Sequence, residues 1–275
     1  MAATINTNAG AMIALQNLNK TNMELEQVQT RINTGLQISS AKDNGGIYAI
    51  AQSMRADVAG YRAVGNSIDL AQSTVDVALA AGEAISDILI EMKEKALAGA
   101  DSSLDAASRT ALNADFTALR DQIATIVANA EFNGTNLISN GAGDITALAN
   151  ADGSNTITVQ AEDLSLTGTQ LTISATSSFA TATQADNIAS QIGTSLDNLN
   201  ASLARLGTGS KSLEIHNTFI SKLSDALEKG IGNLVDADLA KESARLQSLQ
   251  VKQQLGIQAL SIANSAPSAI LGYFR

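Results

Sequence analysis

The stretch that decides the fold lies near the carboxy terminus, where residues 235–262 read VDADLAKESARLQSLQVKQQLGIQALSI. Its apolar residues recur at the three- and four-residue steps of an α-helix. They form two stripes, one through Val235, Leu239, Leu246, Leu249 and Leu260 and the other through Ala244, Val251, Leu255, Ala259 and Ile262. Because a helix with a single core-facing side needs only one stripe, the pattern predicts a helix that packs against neighbours on more than one side.

The amino-terminal segment carries a similar helical stripe. It runs through Leu15, Leu18, Asn22, Leu25, Val28, Ile32 and Leu36. The two ends could pair only with each other inside one molecule, but such an arm would leave the second carboxy-terminal stripe in water. We therefore expect both helices to enter a larger bundle. We also expect residues 1–34 and 235–275 of a free subunit to be disordered until assembly covers them.

The composition excludes several classes of function. The 275 residues include no cysteine, one proline (Pro267) and only 3% aromatic residues. Without cysteine there is no disulfide, thiolate metal site or cysteine nucleophile. The formal charge of −10 argues against nucleic acid as a partner, because phosphate binding depends on Lys and Arg. No apolar run is long enough to span a membrane and no basic segment precedes Lys20, so we expect neither membrane insertion nor an ordinary secretory signal.

The middle of the chain has the pattern of long helices around one region of short strands. Helical spacing predicts helices over 44–99, 104–129 and 183–229, with a turn at 131–134 and a hinge at 233–238. Either Asp236 or Asp238 is expected near the positive end of the last helix. Alternating apolar residues between 145 and 174 predict hairpins, and Gly207-Thr208-Gly209 predicts an interruption of its helix.

These elements predict a mainly α fold, an elongated antiparallel helical bundle or coiled coil with a small β-hairpin region. We expect residues 1–40 and 235–275 to form one coiled-coil domain from both termini. Residues 41–234 would then form a rod-like helical domain that contains the hairpin region at about 137–178.

No group of residues has the pattern of a catalytic or metal site. The segment from Gly207 to Ser212 lacks the Gly-Lys-Ser order of a phosphate loop, and no strand precedes it. Asp236-Ala237-Asp238 lacks the glycine turn and terminal glutamate of a calcium loop. His216 has no second histidine with which to bind a metal. We expect no catalytic residue, no metal and no other cofactor, and therefore no enzyme.

Several blocks of the sequence, in a fixed order, resemble one family. The blocks are INTN at 5–8, AMIALQNL at 11–18, RINTGLQISSAKDN at 31–44, FNGTNL at 132–137, NLVDADLAKES at 233–243 and LGYFR at 271–275. They closely resemble the signatures of bacterial flagellins, and the likeness covers nearly the whole chain except about 142–181.

The resemblance implies a structural subunit that polymerises into the flagellar filament. Flagellins have an inner-core domain built from both chain ends and an outer rod-like domain, and this chain resembles a minimal member. The implied partners are further copies of the chain, sister flagellins, an export chaperone, the filament cap and the hook-filament junction proteins. Family members leave the cell through the flagellar export channel, without a cleaved signal peptide, and act outside it. Two alternatives stay open, a hook-filament junction protein and a coiled-coil adaptor.

The resemblance and the stripes together give candidate packing residues for the filament core. These are Leu15, Leu18, Leu25, Val28, Ile32, Leu239, Leu246, Leu249, Val251, Leu255, Leu260 and Ile262. The Ser- and Thr-rich segment beyond the strands gives candidates for O-linked sugars, although strand propensity explains its threonines equally well. These are Ser174, Thr176, Ser177, Ser178, Thr181 and Thr183.

One segment departs from the family in a way that bears on recognition by Toll-like receptor 5. Stimulatory flagellins carry Arg-Val-Arg-Glu-Leu where alignment by the flanking helix places Glu91 to Lys95. Glu91 replaces the first arginine and Lys95 replaces the leucine, while Asp115 shortens the family's usual glutamate on the facing helix. A carboxylate in place of an arginine turns attraction into repulsion, so we expect a poor agonist. Glu91 and Lys95 also have the spacing of an ordinary i,i+4 pair on a solvated face.

Overall fold

The protein is mainly helical, with one small antiparallel hairpin, as the sequence predicts. The computed structural model describes residues 7–271, and it describes side chains for 7–265. Its elements are α1 (Ala9–Thr34), α2 (Gly45–Gly99), α3 (Ala106–Asn129), β1 (Ile145–Leu148), β2 (Thr156–Val159), α4 (Ala182–Val235) and α5 (Leu239–Leu271). Among the described residues, no helix combines the length and hydropathy of a membrane span.

The helices begin and end where local chemistry satisfies their free backbone groups. Asn8 Oδ1 accepts a hydrogen bond from the backbone N–H of Ala11 at the start of α1, and Gly35 ends that helix with φ of 70°. At the start of α5, Asp238 Oδ1 accepts hydrogen bonds from the N–H groups of Ala240 and Lys241. Of the two predicted candidates, Asp238 therefore caps the helix.

One compact unit spans Asp57–Asp225 and contains most of the buried core. Its core is almost entirely aliphatic, because the chain has few rings to place there. The exception is Phe116 of α3, which packs against Phe179 at a centroid distance of 5.4 Å. The fully buried side chains from α2, α3 and the 137–179 segment include Ile68, Ile85, Leu89, Met92, Ile123, Leu137, Leu164, Leu171 and Ile173.

The strand prediction between 145 and 174 is right in its first half and wrong in its second. Strands β1 and β2 pair antiparallel, with Ile145 opposite Val159. Between 160 and 174 the described backbone has no strand and only an isolated bridge between Leu166 and Leu171. The alternation of apolar residues there has another cause, since Leu171 and Ile173 are buried in the helical core.

The predicted helix interruption at Gly207-Thr208-Gly209 is also wrong, because α4 runs unbroken through it. A Cβ at Gly209 would lie 2.8 Å from Cγ1 of Val159. The glycine therefore provides room for β2 to lie against α4, and it does not break the helix.

A second compact unit combines Met1–Ala56 with Ala226–Arg275. Within its described part, α1 and α5 pack against each other along their length. The predicted domains, 1–40 with 235–275 and 41–234, stay a prediction.

Candidate assembly surface

The two terminal helices form an antiparallel pair with a regular seam. On both helices the buried and half-buried residues recur at alternating steps of three and four, the spacing of a coiled-coil seam. On α1 the series is Ala11, Ala14, Leu18, Thr21, Leu25, Val28 and Ile32, flanked by the half-buried Glu24 and Arg31, and on α5 it is Glu242, Leu246, Leu249, Gln253, Gly256, Leu260 and Ala263. The pair therefore uses only one of the two stripes of α5.

Small and polar residues bring the two helices close and fix their alignment. A Cβ at Gly256 would lie 3.2 Å from Leu18 Cδ1, which is tighter than most contacts of real side chains. The Gln253 side-chain amide donates a hydrogen bond to Asn22 Oδ1 over 2.8 Å. Nearer the chain ends, Asn8 Nδ2 donates to the backbone carbonyl of Ala263 over 2.7 Å.

A backbone clamp holds the two segments together at the inner end of the pair. We use this name for residues 35–38 and 235–237, which exchange backbone hydrogen bonds. Gln37 N–H donates to the carbonyl of Val235 over 2.7 Å, and Ala237 N–H donates to the carbonyl of Gly35 over 2.9 Å. The antiparallel bridge between Leu36 and Asp236 lies between these bonds. The clamp lies where α1 ends and just before α5 begins.

One turn from the clamp, an ion pair crosses the seam. Arg31 Nη1 donates to Glu242 Oε1 over 3.1 Å, with only 18% and 9% of the two side chains exposed. Arg31 Nε and Glu242 Oε2 are buried without a hydrogen-bond partner. Glu242 thus places a carboxylate in an otherwise apolar stretch of the seam. Arg31 is the cation opposite it and neutralises its charge.

The second stripe of α5 is bare in the single subunit. Leu255 is 58% exposed and Ile262 is 71% exposed, and Val251, one turn before Leu255, is exposed as well. On α1 the exposed apolar side chains are Met12, Ile13, Leu15 and Met23. A helix pair that leaves large aliphatic groups on a second side has an apolar surface that requires a further partner.

The structure divides the predicted packing residues into two groups. Those in the seam are Leu18, Leu25, Val28, Ile32, Leu246, Leu249 and Leu260, and those facing away from it are Leu15, Leu239, Val251, Leu255 and Ile262. The sequence reasoning missed Glu242 and Gly256, which both lie in the seam. The alternation of three- and four-residue steps through these two positions was the signal that could have found them.

The candidate positions for receptor contact and sugars lie at the surface of the unit 57–225. Glu91 and Asp115 are exposed and Lys95 is half-buried. Ser174 and Ser177 are half-buried and hydrogen-bonded to the turn that contains them, and Thr181 Oγ1 accepts from the N–H of Gln184 at the start of α4. Thr181 is exposed, as are Thr176, Ser178 and Thr183.

The polar groups of this unit have structural partners. His216 Nε2 lies 2.7 Å from the carbonyl oxygen of Ala149, which holds the hairpin loop on α4. The buried Glu162 carboxylate binds Arg205 through two contacts of 2.6 Å and raises the pKa of that guanidinium. Over the described residues, no cluster of three acidic or histidine side chains could hold a metal ion.

Comparison with known proteins agrees with this arrangement along nearly the whole chain. A model of the bacterial flagellin N-terminal helical region matches residues 5–142, and a model of the flagellin C-terminal helical region matches residues 188–274. The chain is 57% identical to flagellin FljK of Caulobacter vibrioides over 99% of this chain and 98% of that one. It is 37% identical to a flagellin of Brucella melitensis over 99% of both.

Solved structures show the same fold. The crystal structure of Bacillus cereus flagellin matches with a TM-score of 0.50 and 25% identity, covering 56% of this chain and 88% of that one. A putative flagellar hook-associated protein from Vibrio parahaemolyticus matches in fold alone, with a TM-score of 0.57, 14% identity and coverage of 70% and 100%. From the two family models, the full-length relatives and the paired terminal helices, we conclude that the chain belongs to the bacterial flagellins and is a structural subunit of the flagellar filament, not an enzyme.

Proposed function

We propose that the bare stripe of α5, with the exposed apolar residues of α1, is the surface through which this flagellin polymerises with copies of itself and with sister flagellins. The observation that carries the proposal is the exposure of Val251, Leu255 and Ile262 beside a seam that is already complete. Covering a half-exposed aliphatic side chain contributes about 1 kcal/mol, and the gain recurs at every subunit. The seam residues have a different role, because they hold α1 against α5 within the subunit.

The test is polymerisation by Leu255→Asp and Leu249→Asp variants, followed by sedimentation after seeding. Leu255→Asp places a carboxylate in the contact between subunits, and Leu249→Asp buries one in the seam, so both should abolish long polymers while α2 and α4 stay helical. Gln250→Asp is the matched control, because Gln250 is an exposed polar residue on the same helix. Normal filaments from Leu255→Asp would contradict the proposal.

The parent chain is the reference for both variants, because a filament subunit extends seeds into long polymers. The helical content of the unit 57–225, measured by circular dichroism, shows whether a variant that fails to polymerise is still folded.

The bare stripe also supports the proposal of three further partners. An export chaperone would bind α5 before assembly, and the filament cap and the hook-filament junction proteins would contact the terminal helices at the two ends of the polymer. The chaperone has the strongest support, because the subunit must stay soluble before assembly while the apolar stripe of α5 is exposed. Co-purification of the chaperone with the parent chain, but not with a Val251→Ser/Leu255→Ser variant, is the expected result.

We also propose that the protein is exported through the flagellar apparatus without a cleaved signal peptide. The support is that the chain belongs to the flagellins, whose filament lies outside the cell. The intact mass of protein sheared from filaments should show no amino-terminal cleavage beyond removal of the first methionine. A mass that lacks a longer amino-terminal segment would contradict this route.

A further inference from the structure

The long helices of the unit 57–225 carry two lines of exposed residues that the terminal helices do not use. The line on α2 is acidic and the line on α4 is basic. We infer that the acidic line of one copy docks on the basic line of a second copy beside it in the filament. This contact rests on the proposed function, since it exists only in the polymer.

The acidic line follows one face of α2. Its charged members are Asp76, Glu83, Asp87 and Glu94, its large apolar members are Ile90 and Leu97, and all six are exposed. The steps between successive members are combinations of three and four residues, so they share one helical face. With 56% of Ile90 in contact with solvent, the line combines negative charge with an apolar surface that has no partner within the subunit.

The basic line follows one face of α4. It consists of Thr208, Lys211, Ile215, Phe219 and Lys222, all exposed, and Ile215 is 61% accessible to solvent. Thr208, Lys211 and Ile215 line one side of a shallow groove along the helix. Lys211 also binds Glu214 over 2.7 Å, but both partners are solvent-exposed, and such pairs have little net stability and exchange partners readily.

The charges on the two lines have the same spacing. Asp76 and Asp87 are 11 residues apart, and so are Lys211 and Lys222. Two helices that lie side by side can therefore bring both lysines opposite both aspartates at once, whichever way they run. In parallel copies α2 of one and α4 of the other run antiparallel, because the two helices are antiparallel within each subunit, as the contacts of Asn217 with Asp69 and Leu203 with Gly82 show. Lys211 then pairs with Asp87, and Lys222 pairs with Asp76.

Within one copy the two lines are not level with each other. The contact of Asn217 with Asp69 and that of Leu203 with Gly82 set the alignment, and they place Lys211 beside roughly residue 74 of α2, about 20 Å along the helix from Asp87. A second copy displaced by about this distance along the helix axis brings Lys211 level with Asp87 and Lys222 level with Asp76. The pairing is therefore made between copies and not within one.

The same displacement matches the uncharged residues. It sets Ile90 opposite Thr208, so that a large side chain faces a smaller one, and it brings Phe219 level with Leu79. Because the contact joins two different surfaces of identical molecules, it adds copies without closing into a dimer. Each copy carries a formal charge of −10, so two copies repel each other overall. The contact places a local positive region of one copy against a negative region of the next, which favours their association.

The test is charge reversal on each line, with seeded polymerisation as the readout. Asp87→Lys and Lys211→Glu should each raise the critical concentration by about tenfold, because each places like charges opposite each other. The double variant Asp87→Lys/Lys211→Glu exchanges the two charges and should return the critical concentration close to that of the parent chain. Asp186→Lys is the matched control, since Asp186 is equally exposed and lies outside both lines.

A covalent trap provides a second readout, because the chain has no native cysteine. In an Asp76→Cys/Lys222→Cys variant the two thiols are about 20 Å apart along the axis within one subunit, too far for an internal disulfide. Oxidised filaments of this variant should give a ladder of covalent oligomers, and the oxidised monomer should not.

The outcomes separate this contact from the proposed function. If the parent chain does not polymerise, the proposed function is wrong and this contact falls with it. If the parent polymerises but both single reversals behave like Asp186→Lys, or the double variant stays as impaired as the singles, only this contact is wrong.

Discussion

Arg31 and Glu242 join the last turn of α1 to the first turn of α5, with Nη1 of the arginine 3.1 Å from Oε1 of the glutamate. The cation lies at the carboxy end of one helix and the anion at the amino end of the other, so each also interacts favourably with its own helix dipole. The geometry is incomplete, since Nε and Oε2 have no partner. An ion pair of this kind contributes more to the alignment of two helices than to their stability.

The first prediction separates these two roles. Arg31→Leu alone leaves a buried carboxylate and should destabilise the α1–α5 pair by about 3 kcal/mol, whereas Arg31→Leu/Glu242→Leu should restore much of that loss. The measurement is the temperature at which filaments dissociate. The alignment of α1 with α5 is measured by the yield of a disulfide between Asn22→Cys and Gln253→Cys. This disulfide should form quantitatively in the parent background and less completely in the double leucine background. An equal yield in both would show that the ion pair does not set the alignment.

The second prediction compares two glycines within helices. Alanine normally stabilises a helix by about 1 kcal/mol relative to glycine. Gly207→Ala should show this gain in thermal unfolding of the monomer, because nothing lies within 4 Å of the added Cβ. Gly256→Ala should lower the filament dissociation temperature, since the new methyl group meets Leu18 at 3.2 Å. A gain in stability from Gly256→Ala would show that the seam has space for a methyl group at this position, which would contradict the prediction.

The third prediction concerns ordering of the terminal helices on assembly. Trypsin should cut at Arg31 and Arg245 much faster in the free subunit than in filaments, because the apolar stripe of α5 has no cover before assembly. Cleavage at Arg205, in the interior of α4, is the internal reference. Equal protection of Arg31 and Arg245 in subunit and filament would contradict ordering on assembly.

The fourth prediction concerns Toll-like receptor 5, for which we expect this flagellin to be a poor agonist. Glu91 is exposed on α2 with its charge opposite to that of the arginine in stimulatory members, and Lys95 replaces an apolar residue. In reporter cells the parent chain should require far higher concentrations than a strongly stimulatory flagellin. Glu91→Arg/Lys95→Leu should gain activity, and a potent response to the unmodified chain would refute the prediction.

The fifth prediction is O-linked modification of the segment from Ser174 to Thr183. The structure favours Thr176, Ser178, Thr181 and Thr183 as acceptors, because they are exposed, over Ser174 and Ser177, which are half-buried. The intact mass of native filament protein should exceed that of the bare chain, and fragmentation should place the added mass on these residues. A native mass equal to that of the bare chain would exclude it.

The helices could be predicted from the period of the apolar residues, because a long helix repeats its apolar pattern many times. The two stripes of α5 follow from the helical spacing of the apolar residues that come after Leu246 and after Val251. Periodicity could not show which stripe faces α1. That choice depends on Gly256, which lets the helices approach, and on Glu242, which needs Arg31, and both effects depend on residues more than 200 positions away.

Short apolar alternations were less informative. Leu171 and Ile173 alternate as they would in a strand, yet both are buried beneath irregular backbone. Gly209 has the sequence character of a helix break, yet it lies within a continuous helix because β2 passes over it. In both cases a tertiary contact with a distant segment outweighed the local preference.

The backbone clamp has a consequence for the order of folding. Leu36 pairs with Asp236, 200 positions further along the chain, so the contacts that hold α1 are among those of highest sequence separation in the molecule. Contacts of this kind form late, because the loop-closure entropy of the intervening chain must be offset before they contribute anything. During synthesis, α1 has no partner until nearly the entire polypeptide has left the ribosome. The terminal unit is therefore the last part of the subunit to fold and the first that a binding protein can hold open.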